Sequence, residues 1–367
     1  MPMTMQDIIL SARNLPPVPL NEVSAYQAQA EIFTQKVNAA MDSLPDIHTL
    51  IGHAPLQMMY DNHTHHAAFM STVFSIQDYE LLARTIPWVY RSYHAHRFSY
   101  AYFTLELTTW IQTLKAHPDC PFSTIIQIYE WMIHHHEAMI HLSESDHALQ
   151  LPVSEDWLEK KNAFQVALLN GDHVTSLSIA DAVLEAEQNL NALYLHIIQP
   201  VMYEIGILWE RARITVAHEH LASAIVSRIM AIVGSRYQRL FTPNNRKALI
   251  TTAPNEFHEI GAWMVADMFT QAGWEVRYLG ANTPKDDLLA LMVEFKPHIL
   301  GISVTMAFNI HKARAIVKAV KSHPDLEKIT VCVGGRIFCE HPELWRSVGA
   351  DRSMPPTGNI SDLIEAL

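Results

Sequence analysis

Cationic residues are scarce in this chain. Its 367 residues include 26 Lys and Arg against 38 Asp and Glu, so the formal net charge is −12. Because proteins bind nucleic-acid phosphates with basic surfaces, this balance argues against nucleic acid as a direct partner. The chain also lacks a Gly-x-Gly-x-x-Gly sequence, which argues against a bound dinucleotide.

Cysteines and long apolar runs are scarce as well. The three cysteines, Cys120, Cys332 and Cys339, form neither a disulfide framework nor the spacing of a metal site. No apolar run is long enough to cross a membrane, and the N-terminus lacks a charged segment followed by an apolar stretch. These absences predict a cytoplasmic protein without a membrane segment.

Histidine is abundant instead, with 22 residues, of which 13 precede residue 150. Histidine suits metal binding, tetrapyrrole side chains and pH switches. One run, His134-His135-His136, is interpreted as surface, because consecutive residues point in different directions on a helix.

The spacing of apolar residues predicts three domains. Residues 1–150 show helical spacing after an irregular arm at 1–22, which predicts an all-α domain. Residues 151–243 contain four helical stretches with short connections, typical of a four-helix bundle. In residues 244–367, five strand patterns alternate with helices, which predicts a doubly wound five-stranded parallel sheet.

The most informative stretch lies at the start of the α/β domain. The apolar run 248–252 predicts a buried strand, so His258 falls on the loop between that strand and the next helix. Open α/β sheets bind ligands at this edge. Glu256 can reach one ring nitrogen of His258, as a carboxylate does behind a metal ligand, and Gly261 leaves room for a bulky planar ligand. The competing interpretation is an ordinary loop histidine.

Other strand ends carry small and hydroxyl residues, namely Ser303 and Thr305 after the third strand and Gly334 and Gly335 after the fourth. Such residues allow a long ligand tail to approach the backbone and to form hydrogen bonds.

Two further clusters point to ligands. Trp209 is predicted to end one bundle helix, and Glu219 and His220 to begin the next, so that together they suit an apolar ligand with hydroxyl groups; a structural Trp is the alternative for Trp209 alone. The stretch 88–100 mixes aromatic rings with Arg and His, which suits a flat, conjugated dianion. The alternative there is an aromatic core stripe with a solvated basic face.

These motifs, taken together, resemble the cobalamin-binding module, in which a helical cap precedes a flavodoxin-like domain. The resemblance covers residues 155–367, and Glu stands where the methionine synthase and mutase pattern has Asp. The family pattern is present as Glu256-x-His258-x-x-Gly261, Ser303-x-Thr305 and Gly334-Gly335. The resemblance implies that His258 is the lower axial ligand of cobalt, that Glu256 supports it, and that the nucleotide tail passes Ser303, Thr305 and the two glycines.

The bundle is similar to the cap of light-sensing, adenosylcobalamin-binding regulators, in which the Trp and Glu enclose the adenosyl group. In those repressors a His follows the Trp directly, whereas Glu210 stands here. The whole chain resembles the photocobilins, photoreceptors that pair cobalamin with biliverdin. This resemblance implies a bilin site in residues 1–150. The expected lining residues are His63, Arg91, His94, His96 and Tyr100.

Two functions are therefore expected, in order of preference. The first is a light sensor rather than an enzyme, in which cleavage of the Co–C bond changes the assembly of a homo-oligomer and signals to a separate partner. The second is a corrinoid methyl carrier of a methyltransferase system.

Overall fold

The computed structural model describes residues 3–118, 121–145, 151–237, 242–355 and 360–365. The chain divides into two compact units. The first unit comprises Met1–His147 with the short segment Glu210–Ala212, and the second comprises Ala148–Trp209 with Arg213–Leu367.

The described part of the first unit is helical, as predicted. Its helices are α1 (Met5–Ala12), α2 (Leu20–Asp42), α3 (Ile47–Leu50), α4 (Leu56–Ile76), α5 (Tyr79–Ala95), α6 (Tyr100–Lys115), α7 (Ser123–His134) and α8 (His136–Glu144). The core contains polar side chains as well as large aromatic ones: Trp110 and Tyr102 are fully buried, and so are His63 and, nearly, Glu106.

Two local expectations for this unit are wrong. The predicted irregular arm contains α1, which begins with a capping box between Thr4 and Asp7 and buries Ile8 and Ile9. His135, expected on the surface, is buried at the break between α7 and α8. Its ring nitrogens lie 2.8 Å from the Trp131 carbonyl oxygen and 3.1 Å from Ser11 Oγ, so tertiary hydrogen bonds compensate for its burial.

The second unit begins with the helical bundle. Its elements are α9 (Glu155–Leu169), α10 (His173–Glu187), α11 (Leu190–Leu193), a π-helical turn (Tyr194–Ile198), α12 (Gln199–Glu210) and α13 (Val216–Tyr237). The sequence predicts a kink at Pro200, and the structure has the π-helical turn just before it. Proline lacks an N–H and crowds the carbonyl four residues earlier, and that carbonyl belongs to His196 inside the widened turn.

The rest of the second unit is the predicted α/β domain. Its elements are β1 (Lys247–Thr252), α14 (Ile260–Gln271), β2 (Glu275–Tyr278), α15 (Lys285–Phe295), β3 (Ile299–Ser303), α16 (Ile310–Lys321), β4 (Thr330–Gly334), α17 (Arg336–Glu340), α18 (Leu344–Val348), β5 (Arg352–Ser353) and α19 (Ile360–Glu365). The strands pair in parallel in the order β2-β1-β3-β4-β5, which is the flavodoxin-like order.

Bundle and sheet share one hydrophobic core. Buried Leu193, Ile205 and Ile229 of the bundle belong to the same cluster as Ile250 of β1 and Phe269 of α14. This packing fixes the bundle against the sheet, because a close-packed interior resists sliding.

Contrary to the expectation that no apolar run is long enough, two bundle stretches, Leu190–Glu210 and Val216–Arg236, could cross a membrane by length and composition. This is weak evidence for a membrane span, since the core helices of a folded bundle pass the same test. Here both stretches contribute to the shared core.

Candidate functional site

The loop between β1 and α14 carries the predicted ligand residues. β1 lies between β2 and β3. Because parallel strands are joined by right-handed crossovers, the connections that follow β1 and β3 lie on opposite faces of the sheet. Thr252, the last residue of β1, pairs with Ser303, the last residue of β3. The residues that follow the two strands therefore lie side by side at the carboxyl edge, where a flavodoxin-like sheet binds its ligand.

His258 and Glu256 form a close pair on this loop. His258 Nδ1 lies 2.5 Å from Glu256 Oε1, and 58% of the His258 side chain is exposed, whereas Glu256 is fully buried. With Nδ1 held by the carboxylate, Nε2 is the nitrogen available to a metal. The predicted contact between the Glu256 carboxylate and a ring nitrogen of His258 is present, and the structure adds that the carboxylate is buried.

Four further contacts hold Glu256. The backbone N–H groups of Thr305 and Met306 each donate to its Oε2 at 2.9 Å, Asn309 Nδ2 donates to the same oxygen at 3.2 Å, and the His258 N–H donates to Oε1 at 3.3 Å. Burial raises the pKa of Glu256, but the hydrogen bond and charge of His258, followed by the two backbone donors, outweigh it and leave the pKa below its usual value. Glu256 is therefore an ionised carboxylate with a fixed orientation.

Sequence reasoning missed the role of Asn309. This residue follows β3 at the end of a short 3-10 helix, is 1% exposed, and bridges Glu256 and the Asn255 carbonyl oxygen. Its own Oδ1 is buried without a hydrogen-bond partner. No motif marks this position, since its contact with Glu256 arises only when the loops after β1 and β3 meet.

The surface beside His258 suits a large planar group. A Cβ atom added at Gly261 would meet nothing within 4 Å, so this position faces open space, as predicted. Phe257, which the sequence reasoning also passed over, is 69% exposed next to His258. An exposed aromatic ring beside an exposed imidazole provides an apolar surface for a flat ligand.

The small residues at the ends of β3 and β4 also have roles in the packing of the protein itself. A Cβ atom at Gly335 (φ +97°) would lie 2.3 Å from the Val304 carbonyl oxygen, and one at Gly334 would lie 2.7 Å from Met354 Cβ. The protein's own packing therefore requires both glycines. Ser303 and Thr305 are partly buried at the same edge, and Thr305 contributes to the site through its backbone N–H to Glu256.

The bundle presents the second predicted group. Trp209 lies in the last turn of α12, as the sequence predicts, and is half-buried. Glu219 lies in the first turn of α13, where its Oε1 accepts from Ser223 Oγ at 2.6 Å and its Oε2 lies 3.6 Å from Nε2 of the exposed His220. The carboxylate is therefore positioned by its own helix, and His220 extends outward.

In the first unit, the structure brings two of the predicted lining residues together. The rings of His94 and Tyr100 stack at 4.0 Å with an angle of 13°. His94 Nδ1 lies 2.9 Å from the Phe98 carbonyl oxygen, and Tyr100 Oη lies 3.2 Å from Ser143 Oγ. These two residues form a stacked pair of rings on the partly exposed side of α5 and α6.

The other three predicted residues are engaged elsewhere. His63 is fully buried between Asn38 Oδ1, at 2.6 Å from Nδ1, and Tyr102 Oη, at 2.9 Å from Nε2. Arg91 Nε donates to Glu210 Oε1 at 2.5 Å. His96 Nδ1 lies 2.8 Å from its own helix, at the Ser92 carbonyl oxygen. Burial lowers the pKa of His63 to about 3, so its imidazole is neutral.

The described residues contain no group of three or more His, Cys, Asp or Glu side chains that could hold a bare metal ion. A single imidazole suits a metal whose other ligands come from a macrocycle, because a corrin ring supplies four nitrogens of its own. The donor set around His258 therefore fits a corrinoid better than a free cation.

Comparison with known families identifies the class of domain. A model described as a B12 binding domain matches residues 246–360, and a second model of that description matches residues 161–233. The chain therefore contains a cobalamin-binding domain, and its cofactor is a corrinoid.

Individual relatives fall into two groups. The HTH-type transcriptional repressor CarA of Myxococcus xanthus is 29% identical over 188 residues, which cover 50% of this chain and 60% of the repressor. Dimethylamine corrinoid protein 1 of Methanosarcina mazei is 25% identical over 135 residues, covering 36% of this chain and 62% of the relative. The chain thus spans less than two thirds of either relative. The solved structure of Methanosarcina barkeri monomethylamine corrinoid protein is 15% identical, with a TM-score of 0.49 over 57% of this chain and 99% of that chain.

Proposed function

We propose that this protein is a light-responsive sensor that binds adenosylcobalamin. The single observation that carries the proposal is the His258–Glu256 pair, an exposed imidazole fixed by an ionised, buried carboxylate at the sheet edge. We assign Trp209, in the last turn of α12, and Glu219, in the first turn of α13, to the opposite face of the ligand. The similarity to a transcriptional repressor supports a regulatory rather than a catalytic role.

Each residue of the cobalamin site then has a defined role. Bound adenosylcobalamin supplies a light-sensitive bond between cobalt and carbon. His258 would hold the metal through Nε2, and Glu256 would keep the imidazole in the correct tautomer. Trp209 would cover apolar surface of the adenosyl group, and Glu219 would accept hydrogen bonds from its hydroxyls. Ser303, Thr305, Gly334 and Gly335 would line the entry of the ligand tail at the sheet edge.

The first unit extends the proposal to a second chromophore. Its aromatic and histidine-rich stretch, with the stacked pair His94 and Tyr100, supports noncovalent binding of biliverdin, a flat conjugated dianion. We place the protein in the cytoplasm as a homo-oligomer whose assembly changes with light, without direct contact with nucleic acid or membrane.

A corrinoid methyl carrier is the second candidate. The similarity to dimethylamine corrinoid protein 1 favours it, since that relative matches the same part of the chain. A methyl carrier has no use for a Trp209–Glu219 pair around a large upper group. The choice of upper ligand therefore separates the two functions.

The decisive experiment is absorption spectroscopy of the purified chain with adenosylcobalamin, in the dark and after illumination, combined with size-exclusion chromatography. A sensor shows a light-dependent spectral change together with a change in oligomer size. A carrier binds methylcobalamin at least as well and keeps its oligomeric state in light, and that outcome would overturn the proposal.

The Trp209→Ala variant tests the upper face. We expect it to weaken adenosylcobalamin binding and alter its photolysis, with little effect on hydroxocobalamin, which lacks the large upper group. Trp345→Ala, a half-buried Trp of α18, is the matched control. Equal responses of both cobalamin forms to Trp209→Ala would remove the upper-face assignment.

A further inference from the structure

One polar pair lies within the apolar core that the bundle shares with the sheet. Tyr194, the first residue of the π-helical turn, is fully buried, and Asp267, in the middle of α14, is 5% exposed. The Tyr194 hydroxyl donates to Asp267 Oδ2 at 2.5 Å. Taking a carboxylate out of water is costly even when it has a partner, so this pair points to a role other than stability.

The bond between these two side chains is charge-assisted. Burial raises the pKa of Asp267 to about 6, and the Tyr194 hydrogen bond lowers it in part, so the carboxyl group is largely ionised at neutral pH. Burial raises the pKa of Tyr194 as well, so the phenol keeps its proton and is the donor. A hydroxyl that donates to a carboxylate forms a short and directional bond.

A second hydrogen bond lies one helical turn away from the first. Gln271, four residues after Asp267 on α14, donates from Nε2 to Asn191 Oδ1 at 3.2 Å, and Asn191 precedes Tyr194 by three residues. Residues three or four apart lie on one face of a helix. The segment formed by α11 and the π-helical turn therefore runs antiparallel to α14 and is bonded to it at two successive points, which define one register.

A second bundle segment, α13, comes close to the same carboxylate. A Cβ atom added at Gly234 of α13 would lie 3.3 Å from Asp267 Oδ2. Glycine within a helix is unfavourable relative to alanine, and here it leaves room for the carboxylate. Asp267 is therefore packed against two segments of the bundle.

The hydrogen-bonded segments lead to the two predicted halves of the cobalamin site. α14 begins at Ile260, two residues after His258, and the π-helical turn continues into α12, whose last turn carries Trp209. Apolar contacts have no preferred direction, and packed helices can adopt arrangements that differ by shifts of about 1–2 Å. A short hydrogen bond is lost on such a shift, so the pair admits only one of these arrangements.

We propose that Tyr194 and Asp267 are positioning residues that set the space available to the upper ligand of the bound corrinoid and thereby select for a large upper group. This rests on the proposed function, in which Trp209 and Glu219 enclose the adenosyl group. Neither Tyr194 nor Asp267 has to touch the ligand. They act through α12, which carries Trp209, and through α14, which follows the His258 loop.

The test measures the preference of the full chain for adenosylcobalamin over hydroxocobalamin, as the ratio of the two dissociation constants from absorption titrations in the dark. Tyr194→Phe removes the hydroxyl and keeps the ring, but it leaves a buried charge without its donor. The double variant Tyr194→Phe/Asp267→Leu therefore replaces both members by apolar side chains of similar shape. Urea unfolding monitored by circular dichroism measures the stability of each variant.

Two further variants complete the set. Gln271→Met removes the second hydrogen bond at a partly exposed position, where little effect on folding is expected. Ser176→Ala is the control, since it removes a fully buried hydroxyl of the same unit that bonds only to the Asp172 carbonyl oxygen at the start of its own helix, α10.

We expect the double variant to resist urea at least as well as the wild type, while its preference for adenosylcobalamin falls about 10-fold through loss of the charge-assisted bond. Tyr194→Phe should show the same loss of preference with lower resistance to urea. Gln271→Met should lower the preference by about 2- to 3-fold, and Ser176→Ala should keep it. The visible spectrum of bound hydroxocobalamin, which reports the lower ligand, should stay unchanged in all four.

The outcomes separate this inference from the proposed function. If the wild type prefers adenosylcobalamin and the double variant and Gln271→Met keep that preference, the positioning role is overturned while the sensor proposal stands. A loss of preference that merely follows the loss of stability, and that Ser176→Ala shares, would also overturn the role. If the wild type has no preference for adenosylcobalamin, both proposals fail.

Discussion

Two glutamates of this protein are both buried, but one is ionised and the other keeps its proton. Glu256 is fully buried, yet its pKa lies below the usual value, whereas burial raises the pKa of Glu106 to about 8. The difference lies in their partners. Glu256 receives the ring and backbone N–H of His258, two backbone N–H groups and the Asn309 amide, while Glu106 has side-chain donors alone, the Trp110 indole and the Asn62 amide.

Burial alone therefore does not decide whether a carboxyl group is charged. Desolvation disfavours the carboxylate at both sites, and donors that point at the oxygens reverse the balance at one of them. The second unit has an anion built to hold an imidazole. The first unit has a buried carboxyl group that keeps its proton.

The largest expected effect comes from removing the His258 imidazole, which the Glu256 carboxylate holds in place. His258→Ala should lower hydroxocobalamin affinity more than about 100-fold, because losing supporting groups alone costs 10- to 100-fold. Absorption titration measures both the affinity and the spectral change that follows loss of an axial nitrogen. His323→Ala, in the same unit, serves as the control. An unchanged spectrum would show that His258 does not bind the metal.

The comparison itself is tested by the same substitution at both glutamates. Glu256→Gln places an amide N–H₂ against backbone donors and should lower the free energy of unfolding by about 1–3 kcal/mol. Glu106→Gln replaces a neutral acid by a neutral amide and should cost less than about 1 kcal/mol at neutral pH. Urea unfolding monitored by circular dichroism measures both. Equal losses would mean that the two carboxyl groups share one charge state.

The pH dependence of the first unit should reveal the raised pKa of Glu106. The folded state keeps a proton on Glu106 that the unfolded chain releases, so the contribution of Glu106 to stability falls as pH rises from about 4.5 to about 8. His63 and His66, with pKa values lowered to about 3 from 6.5, add stability as pH rises towards 6.5 and nothing beyond. Between pH 6.5 and 8 the Glu106 contribution therefore remains.

Thermal unfolding followed across that interval tests this dependence. The wild type should lose stability as pH rises, and Glu106→Gln should show a flatter profile. Glu130→Gln is the control, since the Glu130 side chain on α7 is 56% exposed, and it should follow the wild type. A decline of the same size in Glu106→Gln would assign the pH dependence to another group.

The smallest expected effect is at Asn309. Asn309→Ala removes one of several donors to Glu256 and should weaken hydroxocobalamin binding by about 3- to 10-fold, since one hydrogen bond contributes about 1 kcal/mol. Asn309→Asp should weaken it further, because it places a second carboxylate beside the first. If alanine were more damaging than aspartate, the Asn309 amide would not act through Glu256.

Local patterns in the sequence predict much of the cobalamin site because its key residues are close in the chain. Glu256, His258 and Gly261 lie within six residues of one another after an apolar strand, and the end of that strand places them at the sheet edge. The parallel sheet follows similarly from strands that alternate with helices. The order of the five strands within the sheet is known only from the structure, which gives β2-β1-β3-β4-β5.

The interior of the first unit could not be predicted in the same way. Glu106 reads as an ordinary polar position of a helix, and its burial depends on α4, α5 and α7 packing around α6. His135 reads as one of three surface histidines until Ser11, 124 residues away in the chain, reaches its ring. Arg91 suits a ligand carboxylate by composition, but the fold pairs it with Glu210.

The amino-acid sequence by itself determined the helical and α/β parts and the imidazole with its neighbouring carboxylate, because periodicity and short spacings act over a few residues. The tertiary structure alone decided which carboxyl groups are charged and which residues complete each site, such as Asn309 for Glu256. The physical reason is that desolvation and hydrogen bonding depend on what surrounds a group in space, and those neighbours come from distant parts of the chain.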